Sequence, residues 1–299
     1  MAVLDFSPVV PPSSVPHSYP VKSRYTHAVR SFFQNSAAVV TAAVAQLAVC
    51  LALPSNFAIV PPAVLLLCWG VSSLVHHAAP AAVPNPYKEH VVPHRASAQL
   101  PLGQTDADHG SEKADRGGVF GGKPGSGGIV VFNLGGQFNH PLGPRAPGAA
   151  AVQDFFVQMV ADLASRRDEL GLLSMAHWHG SSTEGTTSIN TTFYFRDVES
   201  IHRFAHEELH RTAWDYYYKN KYPHLGIFHE TFIVQPGSWE TIYENCSPVG
   251  LGNGSVRLPD LDDDGQPRWV STLVAADNPS LKTQKARLGR QAETDFKWW

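Results

Sequence analysis

The chain has 299 residues, of which only 16% are charged, against about 25% in an ordinary soluble domain. The deficit is local, because no Asp, Glu, Lys or Arg occurs over the 57 positions between Arg30 and Lys88. That argues against a single water-soluble globule and against a disordered chain. A formal net charge of −3 argues against nucleic acid as the main partner, since no surplus of Lys and Arg exists to release counterions. Of the three cysteines, Cys50 and Cys68 lie in the apolar stretch and Cys246 lies alone in the remainder, so no disulfide forms within that part and a reducing compartment is expected.

Met1 to Pro20 is rich in Pro and Ser, and residues 1–30 are expected to form a disordered lead. Ser36 to Leu53 and Phe57 to Val75 are apolar runs of 18 and 19 residues separated by Pro54-Ser55-Asn56. At 1.5 Å per residue each reaches about 27 to 29 Å, close to the hydrocarbon thickness of a bilayer. Residues 31–77 therefore read as a transmembrane helical hairpin. A signal peptide would start its apolar core nearer Met1, and two charge-free helices buried in a soluble core are the alternative. The Ala-rich first helix and Pro61-Pro62 in the second also suit a re-entrant or shallow hairpin. Lys22, Arg24 and Arg30 flank one end, and Lys88 and Arg95 the other, which puts both ends in the cytosol. The expected location is a membrane, that of the endoplasmic reticulum, with the C-terminal domain facing the cytosol. The sequons at Asn190, Asn245 and Asn253 should then carry no glycan.

Residues 78–127 carry His, Pro, Gly and scattered charge without apolar periodicity and read as a linker. The cluster Gly-Gly-Lys-Pro-Gly-Ser-Gly-Gly from Gly121 lacks the order of a phosphate loop and precedes a strand instead of following one. Residues 128–252 then form a domain. Gly128 to Leu134 is β-branched and aromatic, a strand. Ala149 to Leu170 places apolar residues at 152, 155, 156, 159, 160 and 163 on one helical face. Ser174 to His179 and Ser188 to Phe195 suit strands joined by the turn from Gly180 to Gly185. Asp197 caps a helix running to about Lys219, and Gly226 to Val234 is a last strand. The order β-α-β-β-α-β is that of the ferredoxin-like α+β fold. Its helices cover one face and leave the other bare, so a homodimer is expected. Residues 253–299 form a polar extension. Its acidic run Asp260 to Gly265 lacks the twelfth-position Glu of a calcium loop and reads as a solvated turn.

Seven of the fifteen histidines fall between His177 and His229. On one continuous helix His202, His206, His210 and Trp214 would make a stripe, while on the strands His177 pairs with His179 and His229 with Thr231, each pair on one face. Such imidazoles can move protons, bind a metal or ligate haem, or serve as ordinary hydrogen-bonded residues. His206-Glu207-Glu208-Leu209-His210 fits the zinc-peptidase pattern His-Glu-x-x-His, but Tyr216 and Ala213 stand where a third ligand and a glycine would be needed. No metal site is expected.

From Gly128 to Gly252 the chain resembles the fungal fumagillin-pathway monooxygenase-like family, of the antibiotic-biosynthesis-monooxygenase type. The resemblance rests on Val131-Phe132, on Gln137-Phe138-Asn139-His140-Pro141, and on Phe204, His210-Arg211 and Trp214. It continues through Gly226 to Phe232 (Gly-Ile-Phe-His-Glu-Thr-Phe), Trp239 to Asn245 and Pro248 to Gly252. It implies a dimeric α+β barrel monooxygenase of secondary metabolism that acts on an apolar polyketide or terpenoid intermediate. In its relatives a deprotonated, electron-rich substrate itself reduces O2, with no bound cofactor. Within that reading residue type assigns His229 or His210 as base and Glu230 as its orienter. His177, His206, Trp214, Tyr217, Tyr243 and Asn245 are then substrate-facing. A haem-binding barrel of the aldoxime-dehydratase kind, or a non-redox cyclase, isomerase or binding protein, are the alternatives.

Overall fold

A computed structural model describes residues 5–17, 36–52, 54, 57–78, 88–102, 119–180 and 187–290. The cationic flank before the hairpin (Lys22, Arg24 and Arg30), residues 103–118 of the stretch read as linker, the turn at 181–186 and residues 291–299 lie outside the described residues. The chain divides into two compact units, Pro20–Val91 and the remainder, to which both Met1–Tyr19 and Val92–Trp299 belong.

In the smaller unit the apolar runs form α1 (Ser36–Ala52) and α2 (Val60–Ala78). Gln46, the polar residue in the middle of α1, donates through Nε2 to the carbonyl of Ala58 in the turn, 2.9 Å away. Among the described residues no helix is long and apolar enough to cross a membrane, which corrects the expected transmembrane hairpin. The 17 residues of α1 rise about 26 Å, short of a hydrocarbon core of about 30 Å. In α2 the apolar run is diluted by Pro61-Pro62 at one end and His76-His77 at the other.

The larger unit is built on an antiparallel sheet of β2 (Ile129–Phe138), β3 (Leu172–Gly180), β4 (Thr187–Phe195) and β5 (Leu225–Val234), ordered β3-β4-β2-β5. With α3 (Ala149–Ser165), α4 (Val198–Ala205) and α5 (Glu208–Asn220) this reproduces the expected β-α-β-β-α-β order, each helical crossover joining two strands that lie on either side of a third, β2 to β3 around β4 and β4 to β5 around β2. Strand alternation sends Val130, Phe132 and Leu134 of β2 to the helix side. There Val130 and the partly buried Phe132 and Leu134 pack with Leu163, Phe193 and Phe195. The helix capped by Asp197 begins as expected, its carboxylate accepting from the Ser200 N–H at 2.7 Å. It does not run through to Lys219. Glu207 is extended (φ −63°, ψ 146°) and separates α4 from α5, and its carboxylate is held by Arg166 from the end of α3 at 3.2 Å.

The other face of the sheet is not bare. Ile129 and Leu173, with the partly buried Val131, Tyr194 and Val234, pack on a second layer. That layer contains the sheet β6-β1-β9, formed by β1 (Val92–Ala98), β6 (Tyr243–Cys246) and β9 (Leu273–Ala275), and the hairpin β7-β8 of Ser255–Leu261 and Pro267–Ser271. Residues 5–17, expected as part of a disordered lead, run along it. Pro8 pairs with Val274 and Ser13 with Trp269, Phe6 is 1% exposed, and the Asp5 carboxylate accepts from the Val119 and Phe120 N–H groups at 2.8 and 2.9 Å. Likewise β1, from the stretch read as linker, and β7 to β9, from the stretch read as an extension, belong to the packed unit. Short segments with weak periodicity were recruited by tertiary pairing, and they cover part of the face on which the argument for a second copy rested.

Candidate active site

At the end of the sheet near α5 the space between strands and helices is not filled. A cavity of about 120 Å³ lies there, floored by β2 from Leu134 to Phe138, with Ile189 and Thr191 of β4 and Ile227 of β5, and roofed by α3 and α5. The apolar α3 positions 152, 155, 156 and 159, which periodicity marks as core, are its wall. Helical spacing brings His210, Trp214 and Tyr217 of α5 onto the same cavity.

His210 is held on three sides. The backbone of Ala205, the last residue of α4, acts on its ring so as to favour the protonated form. It stacks on Trp214 with ring centroids 6.5 Å apart and planes 12° apart, and meets Phe204 edge-on at 5.7 Å. Burial pulls its pKa below the ordinary 6.5, outweighing the opposing effect of the Ala205 backbone. The ring is therefore mostly neutral at pH 7, and a neutral imidazole keeps one nitrogen as a lone-pair acceptor. The break at His206-Glu207 creates this arrangement, since it brings the end of α4 beside the first turn of α5.

Of the other expected site residues, Trp214 stands at the rim, 41% exposed, and Tyr217 forms wall, its hydroxyl donating to the Leu225 carbonyl at 2.7 Å. His177 is exposed on edge strand β3 and touches the cavity lining from outside, its Nδ1 2.8 Å from the Thr191 Oγ1 and its ring edge-on to Phe156 at 6.5 Å. His229 is on the helix side of β5, its ring 5.6 Å from that of Phe132, exposed and outside the cavity lining. Glu230 pairs with Asn133 and, one residue on, points to the opposite face, so it does not orient His229. His206 is exposed at the helix break, which also takes His206 and His210 off a common helix and removes the zinc-peptidase geometry. Among the described residues no group of three or more His, Cys, Asp or Glu is placed to hold a metal.

Tyr243 and Asn245 belong to the second layer. The Tyr243 hydroxyl accepts from the Gly252 N–H at 2.9 Å and burial pushes its pKa up to about 12. Asn245, at φ 51°, accepts from the His94 N–H through Oδ1 at 3.3 Å. Sequence reasoning missed Thr191, only 3% exposed, and Gly136. For Thr191 the signal was its alternation in β4, obscured by its place in a sequon.

Solved structures similar over part of the chain include SnoaB, a cofactor-independent oxygenase from Streptomyces nogalater, at 13% identity, 35% of this chain and 91% of that one, with a TM-score of 0.26. Aldoxime dehydratase in complex with butyraldoxime is similar at 17% identity over 54% of this chain and 36% of that one, with a TM-score of 0.33. The profile described as monooxygenase af470-like matches residues 129–251, which span the sheet and its helices. Monooxygenase af470 of Aspergillus fumigatus is 38% identical over 283 residues, 95% of this chain and 97% of that protein. The chain belongs to the monooxygenase af470-like family.

Proposed function

We propose that the chain is a monooxygenase that oxidises an apolar, electron-rich polyketide or terpenoid intermediate in the cavity under α3 and α5, with O2 as co-substrate and no bound cofactor. The observation that carries this reading is an imidazole, His210, held between Trp214 and Phe204 on a mostly apolar cavity wall. Such a ring accepts a proton from an acidic C–H of the substrate, and the apolar surroundings favour passage of an electron from the resulting carbanion to O2. Recombination gives a peroxide that takes the proton back from His210. Loss of water with the second C–H proton leaves a carbonyl, so that CH2 and O2 become C=O and H2O. Thr191, which lines the same cavity from the helix side of β4, supplies a polar contact for the oxygen atoms.

The test uses an anthrone, a flat apolar compound with an acidic CH2, and 18O2. One labelled oxygen should enter the product carbonyl, with uptake of one O2 per turnover. Product without label would remove the reading. For a haem enzyme His210 is the imidazole available to the iron, but among the described residues no Lys or Arg lines the cavity to meet the propionates. A Soret band in purified protein would favour haem.

Two further proposals concern partners. The exposed Phe228, Phe232 and Ile233 of edge strand β5 support association with a second copy. The uncharged helices α1 and α2, with Leu51 80% exposed, support binding to a lipid surface, with the larger unit in the cytosol.

A further inference from the structure

Two adjacent glycines, Gly135 and Gly136, interrupt the apolar alternation of β2, and neither has a positive φ. A glycine inside a strand forgoes side-chain packing and costs backbone entropy, so its presence calls for a physical reason. For Gly135 the reason is packing. A Cβ there would lie 2.1 to 2.7 Å from atoms of the Phe228 ring, which covers it. For Gly136 no such reason exists. A Cβ would meet only the Gly226 carbonyl oxygen at 3.6 Å and Ile189 Cγ1 at 3.8 Å, both ordinary contacts. Strand alternation directs that Cβ to the helix side, between Leu134 and Phe138, and Gly136 lines the cavity.

We propose that Gly136 is the seat of the substrate: its missing side chain leaves bare strand as the cavity floor, against which a flat, apolar ring or chain lies face-on beneath the aromatic side chains of α3 and α5. The fold tolerates a methyl group at this position and the ligand does not, so Gly136 determines specificity by the room it leaves. This rests on the reading of the cavity as the substrate site.

The experiment measures binding of 1-aminoanthracene, whose emission rises in an apolar cavity, to the full chain and to Gly136→Ala and Gly136→Val, with a thermal melt of each. The expected result is a melting temperature for Gly136→Ala at or above that of the parent, because replacing a glycine at a compatible φ restricts the unfolded chain. Affinity should fall stepwise, by about tenfold or more for Gly136→Val. A folded Gly136→Val that binds the probe as tightly as the parent overturns the proposal. If Gly136→Val does not fold, unchanged affinity in Gly136→Ala overturns it, and so does a parent protein that fails to bind the probe. Binding that depends on Gly136 in a protein that consumes no O2 leaves the seat standing and removes the monooxygenase reading.

Discussion

The imidazole of His210 stacks on the indole of Trp214 with ring planes 12° apart, which fixes the ring at the cavity wall while its neutral form keeps one nitrogen as an acceptor. A pH dependence follows. Burial lowers the folded-state pKa below 6.5, so the base form persists below the usual histidine range. kcat/KM with an anthrone should be flat above pH 6.5 and fall on the acid side with an apparent pKa below 6.5. The same group makes stability decline as pH falls below 6.5 toward the folded-state value, because the unfolded chain binds the proton more readily. A rate that rises as His210 protonates would contradict its role as base.

His229 was the other candidate base, and the structure leaves it outside the cavity. His229→Ala is expected to keep turnover within about threefold of the parent, a change of about 0.7 kcal/mol in the barrier, measured as initial O2 uptake. A loss of two orders of magnitude would return it to the site.

Phe6 is buried among Leu100, Phe120 and Val274 of the second layer. Phe6→Ala should lower the unfolding free energy by about 3 kcal/mol, read from denaturant melts at unchanged m-value. No change would restore the disordered lead.

Removing the Tyr217 hydroxyl deprives the Leu225 carbonyl of its 2.7 Å partner. Tyr217→Phe should cost about 1 kcal/mol of stability and little activity, a split visible in paired melting and kinetic measurements. A loss of activity at unchanged stability would give the hydroxyl a chemical role.

Asn190 lies within β4 and Asn253 in a short 3-10 turn, each with a buried Oδ1, and Asn245 lies in β6. The intact mass after expression in a fungal host should equal that of the bare chain, with no shift on endoglycosidase treatment. A shift would place the domain in the lumen.

The strand and helix order of residues 128–234 was legible because each element carries its own period. Alternation in Ser188–Phe195 and the 152–163 helical stripe each report which side faces inward. What periodicity cannot report is whether the inward side meets packing or empty space, so Phe155, Phe156 and Met159 read as core although they wall a cavity. The break at His206-Glu207 was hidden because no Pro or Gly marks it and the four-residue histidine spacing continues through it. Tyr243 and Asn245 were misplaced for a different reason. Strand β6 pairs with β1, Tyr243 opposite Ala96, and a pairing so distant in sequence leaves no local signal.

Whether His210 is the base of an oxygenation is read from the initial rate of O2 uptake by His210→Ala with an anthrone. The rate should fall about 10²- to 10⁴-fold with circular dichroism and melting temperature close to the parent. A folded His210→Ala protein that consumes O2 at the parent's rate would contradict that role.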